Sequence, residues 1–394
     1  MSTWVEGVAS SGFDVDNMPY GVFSRPGEAP RVGVRIGERV LDLAAVADDP
    51  EPFRKPSLNA FMALGRRVRR ANRTWLVDLF TDPNRRADVE PHLAPLADVN
   101  LYLPFDVGDY VDFYASLDHA TNVGKMFRPD SEPLTPNWRH LPIGYHGRSG
   151  TVVPSRTPVV RPSGQRKAPQ EAAPTYGPSR RLDIEAELGF VVGTPSEMAD
   201  PVPVDSFSEH VFGLVGLNDW SARDLQAWEY VPLGPVLGKS FATSISHWVT
   251  PLEALDAAWI DLPGQDPAPL PYLTGPAARG LDIDVEVELN GTVVSRPPYR
   301  TMYWSPAQML AHMTVNGASV RTGDLFASGT ISGPERDQRG SFLELCWGGQ
   351  EPMDDGRTFL EDGDDVVLRY TAPGTGGGRI ALGEVTGRIE AARD

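Results

Sequence analysis

Short apolar segments separated by glycine- and proline-rich turns recur along this chain, and they constrain its fold more than any other feature. After residue 150 seven such segments follow one another: TVVPSRTPVV, RLDIEAELGFVVG, HVFGLVGLND, LDIDVEVELNGTVV, SFLELCW, DDVVLRY and ALGEVTGRI. Their composition and alternation predict strands, largely antiparallel. In this later part of the chain clear helices are few, and the best are SPAQMLAHMTV and the segment after Asp219. The sequence therefore predicts a mainly β protein with α+β elements, whose larger domain is a mixed β-roll or barrel-like structure.

The first hundred residues have a pattern of their own. GVFSRPGEAPRVGVRIGERVLDL alternates like short strands, and LNAFMALGRRVRRANRTWLVDLF then has helical spacing. The arginines of that helix predict a solvated face rather than an anion patch, because the chain as a whole is acidic. LAPLADVNLYLPFDVGD reads as a hinge. We therefore predict two domains, residues 1–105 and residues 106–394.

The charge balance limits the partners of this chain. A formal net charge of −17 disfavours binding to nucleic acid or to an anionic membrane through the surface as a whole. The sequence has no uncharged apolar run of 18 residues and no basic leader with an apolar core, so we expect a cytoplasmic protein without a membrane partner. The single cysteine, Cys346, excludes an internal disulfide and a Cys-based zinc site.

Residues 217–244, LNDWSARDLQAWEYVPLGPVLGKSFATS, mix charges with Trp, Tyr, Pro and Gly. Charged side chains are rarely buried unless they are paired or bound to a metal, so Asp219 and Lys239 need partners or a ligand. In a helix that begins near Asp219, one face carries four polar residues: Asp219, Arg223, Gln226 and Tyr230. That stripe fits a structural ladder of ion pairs. It equally fits a site with a metal-binding carboxylate and donors for an anionic substrate.

Two segments carry the same alternation of acids. RLDIEAELG places three on one strand face: Asp183, Glu185 and Glu187. LDIDVEVELNG repeats the pattern with four: Asp282, Asp284, Glu286 and Glu288. Two glutamates two residues apart can converge on Mg²⁺ or Ca²⁺, but a solvated strand face has the same pattern. The first pair becomes a metal candidate only if other acids join it, and Asp112 and Asp219 are available.

Six ordered motifs resemble the fumarylacetoacetases, a narrow group within the fumarylacetoacetate hydrolase family. They are GDYVDFYASLDHATNVGKMFRP, PNWRHLPIGYHGR, LDIEAELGFVVG, NDWSARDLQAWEYVPLGPVLGKSFATSIS, DLFASGTISG and GSFLELCW. The likeness runs from about residue 100 to the C-terminus. It extends more loosely to the first hundred residues, which resemble that group's small SH3-like N-terminal barrel. The wider family is not expected to share this domain or the run WEYVPLGPVLGKSF.

The resemblance implies a set of site residues. Four carboxylates would hold Ca²⁺ or Mg²⁺: Asp112, Glu185, Glu187 and Asp219. Two residues would border a further Mg²⁺ position near Asp219: Lys239 and Thr243. Six would contact substrate: Tyr114, Arg128, Tyr145, Gln226, Tyr230 and Thr330. His119 matches the general base, with Glu344 as its orienting partner. Three donors are candidates for stabilising negative charge in the reaction: Arg223, Gln226 and Lys239.

The implied reaction is metal-dependent hydrolysis of a carbon–carbon bond in a dicarboxylate β-diketone. It converts 4-fumarylacetoacetate to fumarate and acetoacetate, the last step of tyrosine and phenylalanine catabolism. The resemblance also implies a homodimer. Two alternatives stay open: a related acylpyruvate hydrolase or decarboxylase of the same family, and a non-catalytic protein that binds a metal or a carboxylate.

Overall fold

The computed structural model describes residues 3–8 and 11–393, and β-strands dominate it. The strands are, in chain order, β1 (Tyr20–Ser24), β2 (Arg31–Ile36), β3 (Arg39–Asp42), β4 (Leu93–Pro95), β5 (Asn100–Leu101), β6 (Tyr110–Phe113), β7 (Gly144–His146), β8 (Val152–Pro154), β9 (Val159–Val160), β10 (Ser163–Arg166), β11 (Thr175–Pro178), β12 (Leu182–Asp183), β13 (Ala186–Val192), β14 (Val211–Asp219), β15 (Ser221–Ala222), β16 (Thr243–Ile245), β17 (Trp248–Pro251), β18 (Trp259–Ile260), β19 (Gly280–Leu281), β20 (Asp284–Leu289), β21 (Thr292–Ser295), β22 (Leu325–Ala327), β23 (Asp365–Pro373), β24 (Arg379–Ala381) and β25 (Val385–Glu390). The α-helices are α1 (Leu43–Val46), α2 (Asn59–Met62), α3 (Arg66–Thr81), α4 (Arg86–Val89), α5 (Leu117–Phe127), α6 (Phe207–His210), α7 (Arg223–Glu229), α8 (Val236–Lys239), α9 (Pro306–Thr314) and α10 (Phe342–Leu345). Among the described residues, no helix is both long enough and apolar enough to span a membrane.

A thirteen-stranded sheet runs through the whole molecule, in the order β4-β3-β2-β1-β17-β14-β13-β22-β6-β7 with β5, β8 and β16 at its sides. The strands of the first hundred residues join it through β1 and β17, where Tyr20 lies opposite Val249. Within residues 3–8 and 11–393 the pairing stays open and no barrel closes. The predicted class, mainly β with α+β elements, is confirmed. The division at residue 105 stays a prediction.

The centre of the sheet is buried on both faces. Every residue of β13 and β14 is buried, and their register places Ala186 opposite Asn218. A second sheet, β21-β20-β23-β25-β9 with β24 beside β23, packs against β14. Tyr370 joins the two sheets, because its hydroxyl accepts from the amide of Leu217 at 3.2 Å and donates to the carbonyl of Leu217 at 3.0 Å. A Cβ at Gly216 would lie 2.3 Å from the Tyr370 ring, so this close packing requires glycine.

The helix in SPAQMLAHMTV is confirmed as α9, which begins with a capping box between Ser305 and Gln308. The prediction of a strand in SFLELCW is wrong, because this segment forms the short helix α10. Asp183 accepts hydrogen bonds from the first two amides of α10, and Ser341 caps it. A helix whose first amides are satisfied can form where apolar alternation alone favours a strand.

The helix after Asp219 is confirmed, but it begins only at Arg223. Asp219 itself ends β14, where it pairs with Thr243 of β16. The predicted stripe of four polar residues on one helix is therefore wrong. Arg223 and Gln226 lie on α7, Tyr230 follows it, and Asp219 approaches them from the sheet.

The arginine-rich helix α3 is only partly solvated. Arg67 and Arg70 are exposed, as predicted. Arg69 is buried and donates to the carbonyl of Glu209 at 3.1 Å. Arg73 donates to the carbonyl of Asn17 at 2.9 Å. Arg66 donates to the carboxylate of Glu209 at 2.6 Å, so three of the five arginines attach the helix to its surroundings.

Candidate active site

Four carboxylates converge in the centre of the thirteen-stranded sheet. They come from β6, the loop between β12 and β13, β13, and the end of β14: Asp112, Glu185, Glu187 and Asp219. Each offers an oxygen within 4.8 Å of the other three, and all four side chains are buried. Adjacent strands explain the convergence, because β13 pairs with β14 on one side and with β22, the neighbour of β6, on the other.

The cluster has more negative charge than the protein neutralises. Asp112 accepts one hydrogen bond, from the Tyr145 hydroxyl at 2.7 Å. Its other oxygen and both oxygens of Glu187 are buried without a hydrogen-bond partner in the described part of the chain. Burying an unpaired charge is strongly unfavourable, so these carboxyl groups must either stay protonated or bind a cation. An all-oxygen set of carboxylates is the donor set of a hard divalent ion, and the residues fit one.

The pKa values of the cluster follow from this crowding. Burial, and then the neighbouring carboxylates, raise the pKa of Glu187 and that of Asp112 well above the ordinary values. Burial also raises the pKa of Asp219. Glu185 differs: burial pushes its pKa upward, but Lys239 and Arg223 outweigh burial and hold it below the ordinary value. A bound divalent cation would favour the ionised form of all four.

Lys239 is a buried lysine that bonds to two of these acids. Its ammonium group donates to Glu185 and, at 2.9 Å, to Asp219. Burial lowers the pKa of Lys239, but Asp219 and Glu185 more than offset this, so the pKa is raised and the side chain stays charged. The hydroxyl of Thr243 donates to the other oxygen of Asp219 at 2.7 Å. The further Mg²⁺ position beside Lys239 and Thr243 stays a prediction.

Arg223 projects from the first turn of α7 against the same cluster. Its Nε donates to Asp183 at 2.8 Å, and its Nη1 lies 2.8 Å from Glu185 and 3.1 Å from the Gln226 side-chain oxygen. Burial lowers the pKa of Arg223, but Asp183 and Glu185 raise it further. Its Nη2 is buried without a partner among the described residues and is free to donate.

His119 and Glu344 form a buried pair beside the cluster. His119 Nδ1 lies 2.6 Å from Glu344 Oε2. Three further side chains donate to Glu344, at 3.0, 2.9 and 2.8 Å respectively: Asn122, Ser332 and Ser341. Burial raises the pKa of Glu344, but His119, Asn122 and Ser341 outweigh burial and hold the pKa below its ordinary value. Because an ionised carboxylate only accepts, the proton of a neutral His119 lies on Nδ1 and Nε2 keeps its lone pair.

One cavity of about 330 Å³ connects the cluster with the histidine. It is lined by eleven of the predicted site residues: Asp112, Tyr114, His119, Arg128, Tyr145, Glu185, Arg223, Gln226, Tyr230, Lys239 and Thr330. Four others do not line it: Glu187, Asp219, Thr243 and Glu344. Asp219 and Thr243 line a neighbouring cavity of about 360 Å³, which shares Tyr145 and Lys239 with the first. A larger cavity of about 600 Å³ lies beside β21, but Arg336 and Arg357 in its wall are already bonded to the protein, so it offers no comparable chemistry.

Comparison with known proteins agrees with this arrangement. Residues 110–389 match the family described as Fumarylacetoacetate (FAA) hydrolase C-terminal, and residues 16–104 match Fumarylacetoacetase N-terminal. The chain belongs to the fumarylacetoacetate hydrolase family. Fumarylacetoacetase from Homo sapiens is 44% identical over 96% of this chain and 96% of its own length. Fumarylacetoacetase from Arabidopsis thaliana is 41% identical over 99% of this chain and 98% of its own.

Solved structures support the fold. A fumarylacetoacetate hydrolase from Exiguobacterium antarcticum has a TM-score of 0.58 at 18% identity, covering 95% of this chain and 99% of its own. Maleylpyruvate hydrolase from Sphingobium sp. SYK-6 has a TM-score of 0.52 at 16% identity, covering 95% and 100%. At such identities the likeness shows a shared fold only.

Sequence reasoning missed several residues that support this fumarylacetoacetate hydrolase site. Asp183 belongs to the alternating acids of RLDIEAELG, but no pattern in the sequence predicts its bonds to Arg223 and to α10. Asn122 was detectable, because it follows His119 by three residues and therefore shares its helix face. Ser332 and Ser341 reach Glu344 from other segments, and no local pattern marks them.

Proposed function

We propose that this chain is a fumarylacetoacetase, a hydrolase that cleaves a carbon–carbon bond of 4-fumarylacetoacetate to give fumarate and acetoacetate. The observation that carries the proposal is one cavity lined both by Asp112 and Glu185 of the buried four-carboxylate cluster and by His119, which is paired with Glu344. Identity of 41–44% with enzymes named fumarylacetoacetase, over nearly the full chain, supports this reaction.

We propose Ca²⁺ or Mg²⁺ as the ion of the carboxylate cluster, because both prefer oxygen ligands. Such an ion supplies Lewis-acid stabilisation for the oxygens of a β-diketone. Lys239 and Thr243 act on the protein side: by bonding to Asp219 they fix the orientation of that carboxylate. Tyr145 does the same for Asp112.

His119 is the group that activates water. Its Nε2 takes a proton from the water whose oxygen attacks the carbonyl carbon, while Nδ1 stays bonded to Glu344. Glu344 holds the tautomer and stabilises the imidazolium that forms. General-base assistance of this kind contributes about 10² to 10⁴ in rate. No covalent bond between enzyme and substrate is needed.

Carbon is a poor leaving group, so the electron pair of the broken bond must be stabilised as an enolate. Arg223, Gln226 and Lys239 line the cavity, and we propose that the guanidinium, the amide and the ammonium of these residues donate to the enolate. Removing one such donor costs about 10² to 10³ in turnover. A proton returned to carbon, from the His119 imidazolium or from water, completes acetoacetate.

The outer part of the cavity suits a dicarboxylate. Arg128 and Tyr230 are exposed in the wall, where they can bind a carboxylate at the entrance. Thr330 is deeper, and its hydroxyl is buried without a partner in the described residues. Tyr114 packs edge-on against His119, with ring centroids 5.4 Å apart. We propose that these four residues orient the substrate.

A comparative substrate assay tests the function. We expect loss of the diketone absorbance with fumarylacetoacetate, abolished by a chelator and restored by Ca²⁺ or Mg²⁺. His119→Ala should remove turnover while metal affinity persists. Faster turnover of acylpyruvates would instead favour the related hydrolases, and metal binding without any turnover would favour a binding protein.

The proposed assembly is a homodimer, and the proposed location is the cytoplasm. Sedimentation equilibrium of the metal-loaded protein should give the mass of two chains. A single-chain mass at micromolar concentration would refute the dimer.

A further inference from the structure

Asp183 is a fully buried carboxylate that neither lines the cavity nor belongs to the four-acid cluster. Its two oxygens accept four hydrogen bonds. Oδ1 accepts from the amides of Ile184 at 2.8 Å and Phe342 at 2.7 Å. Oδ2 accepts from Arg223 Nε at 2.8 Å and the amide of Leu343 at 3.0 Å. Four well-formed bonds leave this carboxylate no freedom to reorient.

One pair of these bonds determines where α10 begins. Phe342 and Leu343 are its first two residues, and Glu344 is the third. The position of Glu344 determines where the Nδ1 proton of His119 is held. Asp183 therefore acts on the base indirectly: it binds the start of α10, α10 carries Glu344, and Glu344 binds His119.

The bond from Arg223 Nε to Asp183 orients the guanidinium of Arg223. With Nε held by Asp183 and Nη1 by Glu185, the plane of Arg223 is fixed and Nη2 is left free. A planar guanidinium held at two of its nitrogens keeps one rotational state, which is the condition for a preorganised donor.

We propose that Asp183 is a positioning residue that sets the geometry of the His119–Glu344 pair and of Arg223 together. The proposal rests on the function proposed above. Asparagine at this position would present an amide nitrogen to two of the four donors, so either Arg223 and Leu343, or Ile184 and Phe342, would lose their acceptor.

The test is a double-mutant cycle on the metal-loaded enzyme. We expect Asp183→Asn to lower kcat about 10²-fold with little change in KM, as for the loss of an oriented donor. In a Glu344→Gln background the same substitution should have a smaller effect, because the contribution through Glu344 is already lost and only the contribution through Arg223 remains. An equal loss in both backgrounds would overturn the proposal.

Asp364→Asn is the matched control. Asp364 is also a buried carboxylate, and it accepts from Arg357 at 2.7 Å, Asn290 at 2.8 Å and the amide of Glu361 at 2.7 Å, away from the cavity. Its replacement should reduce thermal stability but leave kcat unchanged. If Asp183→Asn does not fold, Asp183→Glu retains the charge, adds one methylene and is measured in the same cycle.

A readout independent of turnover separates this proposal from the proposed function. A proton shared tightly between His119 and Glu344 gives a far-downfield NMR resonance, identified by its loss in His119→Ala. We expect Asp183→Asn to shift or broaden this resonance, and Asp364→Asn to leave it unchanged. The Ca²⁺ affinity of both variants should equal that of the parent. An unmoved resonance would refute the positioning role, even if the parent enzyme proved inactive on the diketone.

Discussion

Two strand segments of this molecule carry nearly the same row of acids but bury them differently. In β13 and the residue before it, Glu185 and Glu187 lie in a segment covered on both faces. In β20, burial alternates with exposure, and the acids lie on the half-exposed face. Each acid of β20 contacts an arginine; for example, Glu288 accepts from Arg369 at 2.6 Å. Acidic alternation alone therefore does not distinguish a metal site from a surface strand.

The decisive difference is the number of cations nearby. Five buried carboxylates surround the first segment: Asp112, Asp183, Glu185, Glu187 and Asp219. Within the described chain, the buried basic side chains that contact them are Arg223 and Lys239. When these acids are ionised, the negative charge that Arg223 and Lys239 do not neutralise can be balanced by a cation from solution. Around β20, by contrast, arginines of neighbouring strands and loops pair with the acids and neutralise their negative charge.

Glu185→Gln should have the largest effect, because Glu185 both faces the metal position and neutralises Lys239 and Arg223. Removing one partner of a buried ion pair costs about 3 to 5 kcal/mol. We expect a loss of unfolding free energy of this size in urea, together with lost turnover. A variant as stable as the parent would show that these pairs are not the source of the difference between the two segments.

Glu187→Gln sharpens the comparison, because its expected effects have opposite signs with and without metal. Its oxygens have no hydrogen-bond partner in the described residues, so the substitution breaks no such bond and removes a repelling charge. Without metal, stability should be unchanged or raised. Metal affinity should fall by more than about 100-fold, because replacing even a residue that only hydrogen-bonds to a metal ligand lowers affinity by about 10- to 100-fold. Calorimetric titration with Ca²⁺ measures this, and an unchanged affinity would exclude Glu187 as a ligand.

The raised pKa values of Asp112 and Glu187 predict an unusual pH dependence. A carboxyl group whose pKa is raised by folding contributes stability below the unfolded pKa of about 4, and this stability is lost as pH rises through the folded pKa. The metal-free protein should therefore lose stability between acidic and neutral pH, by at most about 1.4 kcal/mol per pH unit for each group.

Metal should reverse this trend. Binding displaces the protons of Asp112 and Glu187, so affinity should rise with pH. The contribution of Glu185 to stability has the opposite pH dependence. Because folding lowers the pKa of Glu185, its contribution is present at neutral pH and is lost only when the pH falls through that lowered pKa. Thermal unfolding from pH 5 to pH 8, with and without Ca²⁺, measures the effect. Parallel curves would mean that the acids are already ionised without metal.

The same two segments show how far the sequence predicts this protein. Alternation correctly predicted both strands, and the ordered motifs predicted which acids share a site. The number of available cations could not be predicted, because Lys239 follows Glu185 by 54 residues and reaches it only through the fold. Family resemblance distinguished the first segment as a metal site from the second, whereas local pattern left the two segments equal.

Predictions based on local pattern were wrong where residues distant in sequence form hydrogen bonds with the backbone. SFLELCW has the composition of a strand, but Asp183, which lies 159 residues earlier than Phe342, binds the first amides and favours a helix. Asp219 was expected on a helix, but pairing with Thr243 extends β14 through it. In both cases a tertiary contact outweighs the local preference.

Glu288→Gln should have the smallest effect and is the control for the whole comparison. Glu288 and Arg369 form a partly exposed pair, and such pairs contribute about 0.2 to 1 kcal/mol. A cycle of Glu288→Gln and Arg369→Gln should give a coupling energy in this range that decreases in 1 M salt, because exposed charges are screened. Metal affinity and turnover should match the parent. A coupling energy near 3 kcal/mol, or a lower metal affinity, would mean that the β20 acids behave like the buried cluster. The contrast between the two segments would then need a cause other than the number of nearby cations.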